Sequence, residues 1–274
     1  MRHSTLTPCI AIAMAAAAPL IAQQTPPARQ PDFRWEKALA AGSQVGLHNL
    51  NGNVDVTLST SGKVEVVGVK RGNSRYFEDV TLEVVETSRG IMVCSMFRNT
   101  DMECDESGFR VHNDRRRGWR DRDWDDLSID IIVKVPKDMV VSGNSVSGNV
   151  SITGAEGRVR AGSVSGDVRL QGLRATGIRA SSVSGDVDVR IDVLSGEGDL
   201  HFTSVSGNVT AELPRNFEAD VSMRSVSGNI ESDFPLTLNG RMNRHSLEAR
   251  IGKGGRQLEV TTVSGDVRLR AGKQ

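Results

Sequence analysis

One recurring hexapeptide writes two columns of chemically capable side chains into this chain. Ser-Val-Ser-Gly-(Asp/Asn)-(Val/Ile) stands at Ser145–Val150, Ser163–Val168, Ser182–Val187, Ser204–Val209 and Ser225–Ile230, and a sixth copy opens with threonine at Thr262–Val267. Asn149, Asp167, Asp186, Asn208, Asn229 and Asp266 form a column of hard oxygen atoms that could bind Ca²⁺, or offer a carboxylate pair to a glycosidic bond. Ser145, Ser163, Ser182, Ser204 and Ser225 could be nucleophiles if a base and an orienting acid stood in reach. The rest of the sequence argues against both. Half of the oxygen column is Asn, which cannot ionise. A Ca²⁺ β-roll needs denser Gly-Gly-x-Gly-x-Asp repeats. His3, His48, His112, His201 and His245 lie in unlike contexts, and no Gly-x-Ser-x-Gly elbow occurs. Both columns therefore read as structural. The serines form hydroxyl ladders and local backbone bonds. Gly148, Gly166, Gly185, Gly207, Gly228 and Gly265 permit a bend or a positive φ, and the adjoining Asp or Asn completes the turn. No catalytic residue, metal site or cofactor is expected.

A second candidate is the segment 98–126, dense in both charge signs and without helical or strand periodicity. Trp119 and Trp124 beside Arg120 could stack on a sugar ring or grip an anionic glycan. Neighbouring Asp121, Asp123, Asp125 and Asp126 cancel the positive field, which excludes nucleic acid. The plainer reading is a solvated, self-neutralising insertion loop.

The elements that carry these residues are strands. Residues 33–97 alternate apolar and polar in short runs, parted by turns at Asn51-Gly52, Ser61-Gly62 and Arg71-Gly72-Asn73. Leu50–Val54 already resembles the hexapeptide and reads as a degenerate coil. Leu127, Ile129, Ile131, Val133 and Val135 share one parity, and Pro136 ends that strand. Within the repeats the two-residue period places Val164, Val168 and Leu170 on one apolar face, with Ser165, Asp167 and Arg169 opposite. One such coil cannot bury its apolar face alone, so successive coils must stack, valine on valine. The expectation is an all-β chain: a β-solenoid with coils of about 18–22 residues, an N-terminal β segment and a charged insertion loop. The steps between copies are 18, 19, 22, 21 and 37 residues. The last reads as two coils with one motif lost, His245–Ile251 and Gln257–Thr262 forming a hairpin about Gly252–Gly255. The C-terminal strand through Val267, Leu269 and Ala271 reads as an open end of the solenoid, with Arg268, Arg270 and Lys273 as gatekeeping charges.

Composition fits a thin stack: aromatic residues are 4% of the chain, against 28 glycines. Arg2 and His3 followed by a small apolar run to Ala22 read as a secretory signal peptide at 1–22, too short to span a membrane. Residues 23–32 read as a disordered leader, 33–136 as the N-terminal β segment with its insertion, and 137–274 as the repeat solenoid. Removing 1–22 leaves 33 basic residues against 34 acidic, so no global field draws nucleic acid or an anionic membrane. No later stretch could cross a membrane as a helix. Export makes a Cys94–Cys104 disulfide the expected state; a two-ligand metal site is the alternative, without a Cys-x-x-Cys spacing to support it.

With the hexapeptide placed on coils, residues 40–270 resemble the bacterial "putative adhesin" family of β-strand-repeat domains of unknown function. The recurring Val-Ser-Gly-(Asp/Asn)-(Val/Ile) after an N-terminal β segment carries that resemblance, together with the strand Ile129–Val135 closed by Pro136. It implies an exported or envelope-associated protein, periplasmic or at the bacterial cell surface, with no catalytic residues. The reading that follows is a non-enzymatic binding, adhesion or scaffolding surface. Its partner would be an envelope protein, a glycan or another copy joined through the solenoid ends. The alternatives are a carbohydrate-active β-helix enzyme and a glycan-binding module using 98–126.

Overall fold

The alternating runs become strands because each buries one face and hydrates the other. The computed structural model describes residues 32–98, 102–111, 127–238, 243 and 245–272. In chain order these hold β1 (Phe33–Lys37), β2 (Gln44–Asn51), β3 (Val54–Leu58), β4 (Val64–Arg71), β5 (Val80–Thr87), β6 (Gly90–Phe97), β7 (Met102–Asp105), β8 (Gly108–Val111) and β9 (Ser128–Val135). The repeats supply β10 (Val140–Ser147), β11 (Val150–Thr153), β12 (Glu156–Ser165), β13 (Val168–Ser184), β14 (Val187–Leu194), β15 (Leu200–Ser206), β16 (Val209–Leu213), β17 (Ala219–Ser227) and β18 (Ile230–Ser232). β19 (Thr237–Leu238), β20 (Ser246–Ile251), β21 (Gln257–Ser264) and β22 (Val267–Ala271) follow. The signal reading at 1–22, the leader reading at 23–32 except residue 32, and Trp119, Arg120 and Trp124 lie outside the described residues.

The chain winds as a solenoid. One face runs β6, β2, β10, β12, the second half of β13, β15, β21 and β17, all parallel. The other runs β9, β3, β11, the first half of β13, β14, β16, β22 and β18, also parallel. A short third side passes through Glu156–Gly157, Arg174–Ala175 and Val193–Leu194. Between the faces lies one core of stacked aliphatic residues, with Leu47, Ile152, Leu170, Phe202, Leu213 and Met223 among its largest fully buried side chains. The degenerate fragment is a genuine coil: Val54 registers with Val150, and Asn51 with Ser147. The stack therefore continues unbroken from the 33–136 portion into the repeats.

Three expectations need correction. First, the coils do not stack in sequence order. The Thr262 coil, formed by β21 and β22, lies between the Ser204 and Ser225 coils: Ser204 registers with Thr262, and Thr262 with Ser225. β22 is thus an interior strand, flanked by β16 and β18, and Val267 and Leu269 are fully buried. Second, β20 and β21 do not pair as a hairpin, because β17 lies between them, antiparallel to β20 and parallel to β21. Antiparallel strands cover both ends of the first face, β5 against β6 and β20 against β17. β4 does the same for β9. Third, the 98–126 segment is not loop throughout, because β7 and β8 form a hairpin. Cys94 and Cys104 are disulfide-bonded, with Cα atoms 6.0 Å apart. The bond pins that hairpin to the outside of β6, over a small separate core of Met92, Cys94 and Cys104 packed by Val85, Met96 and Phe109.

Candidate functional site

The columns singled out by residue type meet at the corner where each coil passes from the first face to the second. Parity breaks there, so the serine that opens each hexapeptide points inward. Its hydroxyl donates to the carbonyl of the corner glycine one coil away: Ser145 to Gly52 at 2.9 Å, Ser163 to Gly148 at 2.8 Å and Ser182 to Gly166 at 2.8 Å. Ser204 reaches Gly185 at 2.9 Å, Thr262 reaches Gly207 at 2.8 Å and Ser225 reaches Gly265 at 2.9 Å. All six side chains are buried. These are satisfied structural hydroxyls with no base beside them. In the first coil Asn49 takes the same place, and its Nδ2 donates to the Ile129 carbonyl at 2.8 Å.

The oxygen column is equally engaged. Each Oδ1 accepts the backbone N–H of the corresponding residue on the next coil. The series runs Asp130 from Asn53 (2.9 Å), Asn53 from Asn149 (3.0 Å), Asn149 from Asp167 (2.8 Å) and Asp167 from Asp186 (3.0 Å). It continues with Asp186 from Asn208 (2.7 Å), Asn208 from Asp266 (3.0 Å) and Asp266 from Asn229 (2.9 Å). Amide and carboxylate oxygens accept alike, which is why Asn and Asp alternate freely here. The second oxygens are also occupied in several coils. Asp167 Oδ2 accepts from Arg169 at 2.6 Å, Asp266 pairs with Arg268, and Asp130 pairs with Arg71. Sequence reasoning missed Asn53, Asn49 and Asp130 as members. A signal existed: Asp130-Ile131 repeats the (Asp/Asn)-(Val/Ile) step, with Ile129 standing where the glycine should be.

The corner glycines serve close approach more than left-handed backbone. A β-carbon on Gly185 would lie 2.3 Å from the Gly166 carbonyl oxygen, and one on Gly207 would lie 2.2 Å from that of Gly185. Neither residue has a left-handed φ. The glycine is required because the coil next to it comes too near for any side chain.

The parity break also corrects the placement of Val164. It is 45% exposed, as is Val183, while Val205 is 42%, Val263 43% and Val226 65% exposed. The repeat thus buries its serine and shows its valine to solvent. The exposed valines form one column along the corner, because their neighbours Ser163, Ser182, Ser204, Thr262 and Ser225 are in register.

Two carboxylates beside the ladder are electrostatically perturbed. Burial, with Asp186 and Asp167 close by, raises the Asp188 carboxyl above its usual range, against a smaller opposing pull from Arg169. Burial and then Asp130 raise Asp55, against the Arg71 guanidinium. His48, packed edge-on against Phe109 with ring centroids 6.1 Å apart, is lowered by burial. Among the described residues no three His, Cys, Asp or Glu side chains come together as a metal site, and no helix is long and apolar enough to cross a membrane.

Residues 140–270 match the family model described as Toastrack DUF4097. The match bears out, over these residues, the resemblance read from the hexapeptide, and the fold of the chain is all-β and solenoid-like. The chain is similar to a solved structure described as a "putative cell adhesion protein" from Clostridium sporogenes: 9% identity, TM-score 0.45, 89% of this chain and 100% of that one covered. It is also similar to a "putative adhesin" from Bacteroides fragilis: 12% identity, TM-score 0.39, 87% and 96% covered. No curated protein matches.

Proposed function

We propose that this chain, whose residues 140–270 carry the Toastrack repeat, is an exported protein of the cell envelope that works without catalysis and presents a binding surface to another envelope protein. The exposed valine column carries this reading. The serine and Asp/Asn columns are occupied in holding coil to coil, so what the repeat leaves facing outward is a row of branched methyl groups at the coil spacing of about 4.8 Å. Covering half-exposed valines gains about 1 kcal/mol each. Five in line make a docking strip within a larger interface, since association must also offset lost motion of the partners. A row of methyls without aromatic faces suits an apolar protein ridge better than a sugar.

The test has two arms. Fractionation should find the native chain with the envelope and N-terminal sequencing should find residues 1–22 removed; a cytosolic chain that still carries them refutes export. Cross-linking in isolated envelopes should yield a defined adduct that a Val164→Thr/Val183→Thr/Val205→Thr/Val263→Thr variant loses while melting normally. An adduct retained by the folded variant refutes the valine strip as the surface.

A further inference from the structure

The outer side of the first face carries a groove of about 300 Å³, remote from the valine column in its chemistry. It exists because the β7–β8 hairpin stands on the outside of β6 and β2, pinned by the disulfide, while β10, β12 and β13 run past it uncovered. The hairpin forms one wall through Glu106 and Ser107, and the half-buried His48 ring closes one end. The floor is the outward row of the next three coils.

Two features of that floor point to a ligand. Arg160 and Arg179 are register partners on adjacent parallel strands, so their stems rise from the same side about 4.8 Å apart. Like charges placed side by side repel. Several other coil arginines on the outer surface are paired: Arg169 with Asp167, Arg190 with Glu212, Arg224 with Glu248, Arg268 and Arg270 with Glu231. Among the described residues Arg160 and Arg179 have no such carboxylate. Beside them the floor is left open by Gly162. A β-carbon there would come 2.9 Å from Asn144 Oδ1 and 3.4 Å from Ser181 Oγ. The glycine therefore keeps two polar tips clear on either side of a depression, with Ser142 next to Asn144.

We propose that this groove binds an acidic sugar, its carboxylate held across Arg160 and Arg179 and its hydroxyls by Ser142, Asn144 and Ser181. Two guanidinium groups against the single carboxylate of Glu106 leave one net positive charge, which matches a monocarboxylate better than a doubly charged phosphate. Guanidinium forks suit a planar carboxylate. Glu106 on the opposite wall accepts from a ring hydroxyl. The volume lies at the small end of ligand sites, the size for one sugar unit.

The experiment is titration calorimetry of the full chain at low ionic strength, with galacturonic acid as the probe and galactose and inorganic phosphate as comparators. Galacturonate is expected to bind saturably, with galactose weaker by about tenfold or more, since it forfeits a charged hydrogen bond worth at least that factor, and with phosphate also weaker, since it has no ring hydroxyls for Ser142, Asn144 and Ser181. The Arg160→Gln/Arg179→Gln variant, altered only at exposed positions, should lose roughly thirtyfold or more with an unchanged melting midpoint. Gly162→Ala should weaken binding with both guanidiniums in place. Absence of saturable binding overturns the proposal. So does phosphate or galactose binding as tightly as galacturonate, or either variant binding like the parent chain.

Discussion

Gly185→Ala gives the most direct measure of what holds the coils together. The new methyl would sit 2.3 Å from the Gly166 carbonyl oxygen against the 3.4 Å at which ordinary contact begins, a shortfall of about 1.1 Å. The atom in the way is backbone, so no side chain can swing aside. Relief requires the two coils to part, and four hydrogen bonds cross that gap: Gly166 N–H to Ser184 O (3.1 Å), Val168 N–H to Asp186 O (2.9 Å), Asp186 N–H to Asp167 Oδ1 (3.0 Å) and Ser182 Oγ to Gly166 O (2.8 Å). Parting them by the shortfall breaks the shorter-reaching bonds. Two lost bonds at about 1 kcal/mol each, with overpacking strain of about 1–3 kcal/mol, give a loss of about 3–5 kcal/mol. Gly196→Ala is the matched control. Gly196 has a left-handed φ of 68° and nothing within 4 Å of a β-carbon, so its cost is conformational alone, about 1–2 kcal/mol. Urea unfolding of the two variants beside the parent chain reads both numbers. If Gly185→Ala costs no more than Gly196→Ala, the corner glycine is not there for close approach, and the account of the repeat fails.

Ser204→Ala leaves the half-buried Gly185 carbonyl without its side-chain donor and should cost about 1–3 kcal/mol, whereas Ser204→Thr should be nearly neutral, because Thr262 fills the equivalent place; thermal melts separate the two. Burial raises the Asp188 carboxyl above its ordinary value of 3.8, so its ionisation costs stability as pH rises through the folded value. Asp188→Asn should then raise the melting midpoint at neutral pH, with the gain vanishing once the acid falls below pH 3.8; a gain that persists in acid refutes the cause. Cys94→Ala/Cys104→Ala should lower stability by about 2–3 kcal/mol by the loop-entropy argument, with hydrogen exchange rising first in β7 and β8 and last in the corner ladder. Truncation after residue 256 removes β21 and β22 from between their neighbours, so unfolding should lose cooperativity across β15–β18; a truncated chain that melts like a merely shortened stack refutes the interleaved order.

The period of the hexapeptide made the solenoid legible, because stacked coils must repeat the residues that touch. The residues that turn the corner were legible too: Gly, Asp and Asn are where a tight, hydrogen-bonded bend needs them. What the two-residue alternation misread is the corner itself. Counting outward from Val168 and Leu170 puts Val164 inside, yet the backbone at Gly166 shifts the parity, so Ser163 goes in and Val164 out. Ser163 tolerates burial because a carbonyl is waiting for its proton, a fact about the neighbouring coil that no local pattern records. The order of the last coils was hidden for a similar reason. The Thr262 copy fits equally well beside Ser204 or Ser225 by its own residues; Pro214–Phe217 and the run through β19 and β20 decide, by carrying the chain past a vacant place and back. Asp130 escaped notice because isoleucine replaces the glycine before it, and the groove escaped because Arg160 and Gly162 on one coil meet Arg179 on the next and Glu106 from the hairpin.

The interleaved coil bears on how the chain is made. In an ordinary stack each coil can settle on the one synthesised just before it. Here β17 and β18 emerge before the strands they must lie against, and Thr262 must reach back across 55 residues to the Gly207 carbonyl. Until β21 and β22 arrive, the β15–β16 coil and the β17–β18 coil each show a bare backbone edge, and nothing joins them but the linking chain. Closure is a late, long-range event of the kind that slows folding. A stalled or clipped chain keeps both edges open and sticky. Completion of the fold therefore reports completion of synthesis through residue 271, with the last strands acting as a wedge that seals two surfaces in one step.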